Sequence, residues 1–141
     1  MSDSRTTTHT VAVNFGDCDP AGIVFYPRYF EMLNGLIEDW FTQGLGVNYT
    51  ELLGPRRVGV PTVSLQSNFK RISRMGDVLT QTIAVKSLGR TSVTLTAEFS
   101  GADDGLLRVS FEQVLVCTDL NTHKPQPFPP DLRAALEKSS S

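Results

Sequence analysis

The feature that most constrains the fold is one amphipathic stretch between Pro27 and Gly44. Tyr29, Phe30, Met32, Leu33, Leu36, Ile37, Trp40 and Phe41 recur at helical spacing, and Arg28, Glu31, Gly35, Glu38, Asp39 and Thr42 fill the gaps. At about 100° per residue the apolar set covers roughly half of a helical wheel. Pro27 suits the first turn, where a missing N–H costs nothing. Gly44 suits the position just past the end. An apolar arc this wide predicts a helix pressed deep into a sheet.

The flanking pattern supplies that sheet. Val11, Val13 and Phe15 alternate with Ala12 and Asn14 and predict a short strand before the helix. Gly16–Gly22 is dense in turn formers and predicts a loop. Leu45–Val58 reads as irregular, with one short turn at Tyr49–Leu53. Period-two alternation then takes over. Val63, Leu65 and Phe69 alternate with polar residues, Val78–Leu88 is strand-like, and Thr91–Phe99 alternates cleanly. Gly101–Gly105 predicts a hairpin loop. Leu107, Val109, Phe111, Leu115 and Cys117 line one face of a last long strand. Pro125, Pro127, Pro129 and Pro130 stop regular structure, and Asp131–Lys138 predicts a short helix. The order is β, long α, then four β. Short connections predict that consecutive strands are antiparallel neighbours, so the class is α+β with one helix on one sheet face. The other face, with Ser92, Thr94, Thr96 and Glu98, is polar and left open to solvent or to a second subunit.

At 141 residues the expectation is a single domain over 1–141, with 1–8 and 139–141 flexible. The net charge of −2 excludes an overall basic nucleic-acid binder. Met1–Thr10 carries no apolar signal-peptide core, and no apolar run is long enough to span a membrane. Cys18 and Cys117, the two cysteines, form no disulfide framework and read as reduced thiols of a cytoplasmic protein.

Chemistry concentrates in the Gly16–Gly22 loop. It places Asp17 and Asp19 immediately before a helix N-terminus, whose free N–H groups and partial positive charge suit a developing oxyanion. A carboxylate there can attack a carbonyl or activate water. The spacing of two is read as putting the carboxylates on opposite sides, so that one faces a given pocket; residue chemistry does not choose between them. Both also suit plain turn and cap roles. His9 and His123 read as solvated, and two distant histidines make no metal cluster. Cys18 lacks a base and reads as a small packed thiol. Lys70, Arg71, Arg74, Lys86 and Arg90 fall near strand ends, as ordinary surface or as a patch for ligand phosphates.

The run Phe15-Gly16-Asp17-Cys18-Asp19-Pro20-Ala21-Gly22-Ile23-Val24-Phe25-Tyr26-Pro27-Arg28-Tyr29-Phe30 closely resembles the signature of the 4-hydroxybenzoyl-CoA thioesterase family. Val58–Ser64 and Gly76–Leu79 look similar as well. The resemblance implies the hot-dog fold, an antiparallel sheet wrapped around a long helix. It implies hydrolysis of an acyl-CoA to free acid and CoA, with no metal and no cofactor. It selects Asp19 as the catalytic carboxylate and the backbone N–H of Tyr26 as the group that polarises the thioester carbonyl. A thioester is electrophilic and its thiolate leaves readily, so a site of this kind works without histidine.

The resemblance also implies dimers joined sheet edge to sheet edge, paired into homotetramers, with active sites between subunits. It places Asn34 near the acyl group, where the hydroxybenzoyl enzymes carry an acidic residue. That departure leaves 4-hydroxybenzoyl, benzoyl and short acyl groups all open. Phe25, Thr62 and Ser64 are further candidates for the acyl pocket. Arg90 is carried over as a CoA phosphate contact, and charge adds Lys70 and Arg71. Two other readings stand beside the thioesterase: a non-catalytic acyl-CoA-binding module, and a thioesterase acting on acyl-carrier-protein substrates. A hot-dog hydratase would need a catalytic histidine that the motif lacks.

Overall fold

The computed structural model describes residues 6–140. Eleven elements follow one another: β1 (Thr6–Ala12), α1 (Pro27–Asp39), α2 (Tyr49–Leu53), β2 (Val58–Gly59), β3 (Thr62–Phe69), β4 (Val78–Leu88), β5 (Ser92–Gly101), β6 (Leu107–Val116), β7 (Thr118–Asp119), β8 (Lys124–Pro125) and α3 (Pro130–Ser140). Five strands form one antiparallel sheet in the order β1-β4-β5-β6-β3, so β3 pairs with β6 and not, as expected of consecutive strands, with its successor β4. The very short β2, β7 and β8 form a second sheet.

The alternation in β5 and β6 decides which sheet face is covered. Val93, Leu95, Ala97 and Phe99 are buried, as are Val109, Phe111 and Leu115. α1 lays Tyr29, Leu33, Leu36 and Ile37 on this face, followed by Trp40 and Phe41. Aromatic edges lock the layers together: Phe30 meets Phe111 at 5.9 Å and Tyr29 meets Phe99 at 6.3 Å between centroids. The polar members of β5 remain on the outer face, as the sequence predicts.

Three details depart from the sequence pattern. The first strand lies earlier, at Thr6–Ala12, and Phe15 is 81 % exposed in a 3-10 turn, Phe15–Asp17. The Asn14 N–H donates to Asp17 Oδ2 at 2.8 Å, closing the turn before the strand can continue. The long helix does not end on Gly44. Its last turn widens to π geometry over Trp40–Gly44, with Leu45 N–H donating to Trp40 C=O. Gly44 is needed there because a Cβ would meet Trp40 Cδ1 at 2.7 Å, and the left-handed residue is Gly46 at φ +74°. Finally, the last helix runs over Pro130–Ser140 and so passes its expected end at Lys138; of the terminal segments expected to be flexible, residues 1–5 and 141 lie outside the described residues.

The sheet has two edges, β1 and β3. On β3, Val63, Leu65 and Phe69 are 62 %, 39 % and 48 % exposed. An apolar edge strand open on this scale is a template for pairing with another chain. Among the described residues no helix is long and apolar enough to cross a membrane.

Candidate active site

The motif folds into a small hairpin that hands the chain to α1. Phe25 N–H donates to Asp17 C=O at 2.9 Å, Cys18 bridges Val24, and Asp19 N–H donates to Ile23 C=O at 3.0 Å. Asp19-Pro20-Ala21-Gly22 forms the tip, where Gly22 N–H donates to Asp19 C=O and Gly22 takes φ +81°. Pro20 presets φ at the second position of such a turn, and glycine accepts the left-handed backbone that closes it.

The two carboxylates do different work in this hairpin. Residues two apart on extended backbone share a face, so strand alternation does not separate them as expected. The turns do. Asp17 ends the 3-10 turn and is tied back to Asn14. Asp19 sits half-buried at the tip, and its Oδ1 accepts the Ala21 N–H at 2.9 Å. Its Oδ2 has no partner among the described residues.

The helix start supplies the complementary donor. Tyr26 caps α1 with helical φ and ψ, and Pro27 has no N–H to give. Phe25 N–H is used by Asp17 C=O and Arg28 N–H by Phe25 C=O, whereas Tyr26 N–H donates to nothing among the described residues. It is therefore a free donor at the positive end of a long helix.

A buried pair fixes this arrangement. Tyr29 Oη, one turn into α1, donates to Ser73 Oγ at 2.9 Å. Ser73 C=O accepts the Val24 N–H, and Arg74 bridges Ile23. The hairpin that bears Asp19 and the helix that presents Tyr26 N–H are thus keyed to one segment. Burial pushes the Tyr29 hydroxyl pKa up, against the smaller opposing effect of the Ser73 bond, so it remains a protonated donor.

Two cavities flank the groove between α1 and the edge strand β3. The first, about 260 Å³, is lined by Tyr26, Tyr29, Phe69 and Ile72, with Lys70 and Arg71 beside them. Phe25 stands edge-on to Tyr26 at 5.8 Å and Tyr26 edge-on to Phe69 at 5.9 Å. The second, about 350 Å³, is lined by Asn34, Glu38, Tyr49, Thr62 and Gln113. Asn34 lies about 12 Å along the helix from Tyr26, at roughly 1.5 Å per residue. A larger depression, about 560 Å³, lies on the outer sheet face around Thr82, Thr96, Glu98 and Glu112, away from every motif residue.

The candidate residues therefore form two groups within one chain. Phe25, Tyr26, Lys70 and Arg71 gather at the start of α1, with Asp19 at the tip of the hairpin that leads into it; Asn34 and Thr62 line one cavity further along α1, with Ser64 two residues on along β3. Arg90 joins neither. It lies at the β4–β5 turn, whereas Lys70 N–H bonds to Arg108 C=O at the start of β6. The length of β6 between those ends is about 27 Å, at roughly 3.4 Å per residue. Lys86 is paired with Glu112 on the outer face.

Two polar features escaped the sequence reading. Gln113 interrupts the apolar alternation Leu107, Val109, Phe111, Leu115, Cys117, a signal present in the sequence but overlooked. Ser73 carries no local signal, since its partner Tyr29 lies far away in the chain.

Residues 13–136 match the family description "Thioesterase-like superfamily". The 4-hydroxybenzoyl-CoA thioesterase of Pseudomonas sp. (strain CBS-3) is 34 % identical over 90 residues, 63 % of this chain and 64 % of that protein, just under two thirds of its length. Its solved structure superposes with a TM-score of 0.83 at 28 % identity, covering 93 % of this chain and 99 % of that one. A 1,4-dihydroxy-2-naphthoyl-CoA hydrolase of Thermosynechococcus vestitus (strain NIES-2133 / IAM M-273 / BP-1) is 30 % identical over 147 aligned positions, 99 % of this chain and 97 % of that protein. The structure of a gentisyl-coenzyme A thioesterase matches with a TM-score of 0.83 at 27 % identity, covering 92 % and 99 % of the two chains.

Proposed function

Because this chain belongs to the thioesterase-like superfamily and has its hot-dog fold, we propose that it hydrolyses an aromatic acyl-CoA to the free acid and CoA. The observation that carries the reading is the unused Tyr26 N–H at the start of α1, set beside the hairpin that holds Asp19. The thioester carbonyl oxygen accepts from Tyr26 N–H, and the helix dipole stabilises the charge that grows on it. Two routes use this arrangement. In one, an Asp19 oxygen attacks the carbonyl carbon, the C–S bond breaks, CoA leaves as thiolate, and water hydrolyses the mixed anhydride. In the other, Asp19 takes a proton from a water that attacks the same carbon. Neither needs a metal or a cofactor.

Phe25, Tyr26 and Phe69 offer ring edges to an aromatic acyl group. Lys70 and Arg71, which line the same cavity as Tyr26 and Phe69, would meet the CoA phosphates. The named relatives act on hydroxylated aromatic acyl-CoAs, which supports an aromatic substrate here.

The reading includes a second copy of the chain. β3 runs antiparallel to α1, with Thr62 near Asn34 and Phe69 near Tyr26. Antiparallel pairing of β3 with its own copy about a two-fold axis sets the Thr62 end of one copy against the Phe69 end of the other. Asn34, Thr62 and Ser64 of one copy then complete the site begun by Asp19 and Tyr26 of the other. Arg90, remote from Lys70 within a chain, would also reach CoA only through an assembly, and two such dimers would make the tetramer.

The test is release of free thiol from benzoyl-, 4-hydroxybenzoyl-, phenylacetyl- and short aliphatic acyl-CoAs. Turnover favouring the aromatic thioesters is expected. Binding without turnover would instead indicate an acyl-CoA-binding module. Turnover of acyl-carrier-protein thioesters alone would move the substrate to that class.

A further inference from the structure

Resting on the reading that the cavity beside Asn34 and Thr62 receives the far end of the acyl group, we propose that Glu38 sets the charge selectivity of that site. It favours an acyl group whose remote substituent is neutral and donates a hydrogen bond, such as a phenol or an aromatic amine, and turns away one that ends in a carboxylate. Glu38 lines this cavity of about 350 Å³ together with Asn34, Tyr49 and Thr62. It is exposed, and its carboxylate has neither an ion pair nor a hydrogen bond among the described residues. No lysine, arginine or histidine stands among the lining residues. One negative charge therefore faces the cavity without compensation.

The helix itself gives no reason for a carboxylate at this position. Glu38 lies in the last turn of α1, toward the negative end of the dipole, where a cation is favoured; that turn holds no base. Three and four positions away on either side stand Asn34, Gly35, Phe41 and Thr42, so no ion pair along the helix offsets the charge. Departures from local preference of this kind are expected where a site requires them. Tyr49, at the start of α2, adds a second polar group to the same wall. Its Oη has no hydrogen-bond partner among the described residues and, unlike Gln113 Oε1, is not sealed from solvent. Burial first, and the charge of Glu38 second, push the Tyr49 hydroxyl pKa up, so it keeps its proton. The carboxylate only accepts, whereas Tyr49 O–H and the Asn34 amide both accept and donate. A phenol or an aromatic amine can give its proton to Glu38 in a charge-assisted bond and still be met by Tyr49 or Asn34. A carboxylate on the substrate could use the same Tyr49 and Asn34 donors, but it brings a like charge against Glu38 with no base nearby, and such juxtapositions exclude wrong partners.

The experiment compares kcat/KM for 4-hydroxybenzoyl-CoA and 4-carboxybenzoyl-CoA in wild type, Glu38→Gln, Glu38→Lys and Asp39→Lys. Wild type should favour the hydroxylated thioester by about tenfold or more. Glu38→Gln should lower that ratio, and Glu38→Lys should lower it further or invert it by gaining turnover of the carboxylated thioester, a gain that loss of structure cannot produce. Asp39→Lys makes the same change in net charge at an exposed neighbour that does not line the cavity, and should keep the wild-type ratio. Glu38 is exposed, so both of its variants are expected to fold. Folded, active Glu38 variants that keep the wild-type ratio would overturn the proposal. So would a wild type without preference, or an Asp39→Lys protein whose ratio moves as far as that of Glu38→Lys. If wild type hydrolyses neither thioester, the thioesterase reading fails separately. The proposal is then judged by equilibrium binding of the same two CoA esters, where a preference unchanged in both Glu38 variants overturns it and a preference lost or inverted in them supports it.

Discussion

At the scale of single residues, Asp17 and Asp19 are bonded differently: Asp17 to Asn14 N–H and Asp19 to Ala21 N–H. Asp17 closes a turn against Asn14 N–H, so Asp17→Ala should cost about 1 kcal/mol, as loss of a cap does, visible as a lower denaturant midpoint. Tyr29→Phe keeps the ring against Phe99 but leaves Ser73 Oγ buried without its donor. It should destabilise by about 1–3 kcal/mol and loosen the hairpin that carries Asp19. Denaturant unfolding together with amide exchange at Val24 checks both effects; unchanged exchange would separate Tyr29 from the hairpin. The motif residues were legible in the sequence because turn formers, carboxylates and a helix start stand next to one another. Ser73 and the free state of Tyr26 N–H were not, since both depend on which partners the fold brings or withholds.

At the scale of elements, α1 and the long strands follow from periodicity, because both are settled by which side chains must be buried; the order of the strands does not, since β3 pairs with β6 and not with its successor β4. Ends are settled by local fit instead. Gly44 looks like a helix stop, yet the chain continues through a π turn because Trp40 occupies the space a side chain would need. Gly44→Ala should therefore cost about 1–3 kcal/mol through overpacking, read from the unfolding midpoint at unchanged m-value. The short β2, β7 and β8 were not legible; strands this brief carry no period. α3 is tied to the residues after α2 by Arg56 and Asp131, whose two hydrogen bonds are both 2.8 Å. The Arg56 guanidinium holds the Asp131 carboxyl down at about 2. Its folded pKa is depressed, so the pair stabilises the fold above about pH 4 and loses that contribution as pH falls toward 2. Both side chains are substantially exposed, which limits the contribution to about 1 kcal/mol or less. Thermal unfolding from pH 5 to 2 should show a shallower acid slope in Arg56→Leu than in wild type; parallel slopes would contradict the linkage.

At the scale of the whole molecule, one chain lines two cavities along the α1–β3 groove and has an open apolar edge beside them. The outer polar face was legible from the alternation of β5, whereas the exposure of β3 was not, because alternation does not say which strand ends up at an edge. If β3 joins two copies, Leu65→Lys should give a monomer by sedimentation equilibrium and remove turnover while the isolated fold persists. A Leu65→Lys protein that stays oligomeric, or a monomer with full activity, would refute the shared site.

The central claim is that Asp19 acts on a thioester whose carbonyl is held at the start of α1. Thiol release by wild type, Asp19→Asn and Asp17→Asn, measured side by side on the best thioester of the panel, tests it most directly. Asp19→Asn should lose about 10²–10⁴-fold in kcat, the range for a positioned acid–base group, while still folding and binding substrate; Asp17→Asn should retain most of its turnover. Full activity in Asp19→Asn, or collapse in Asp17→Asn alone, would contradict the account.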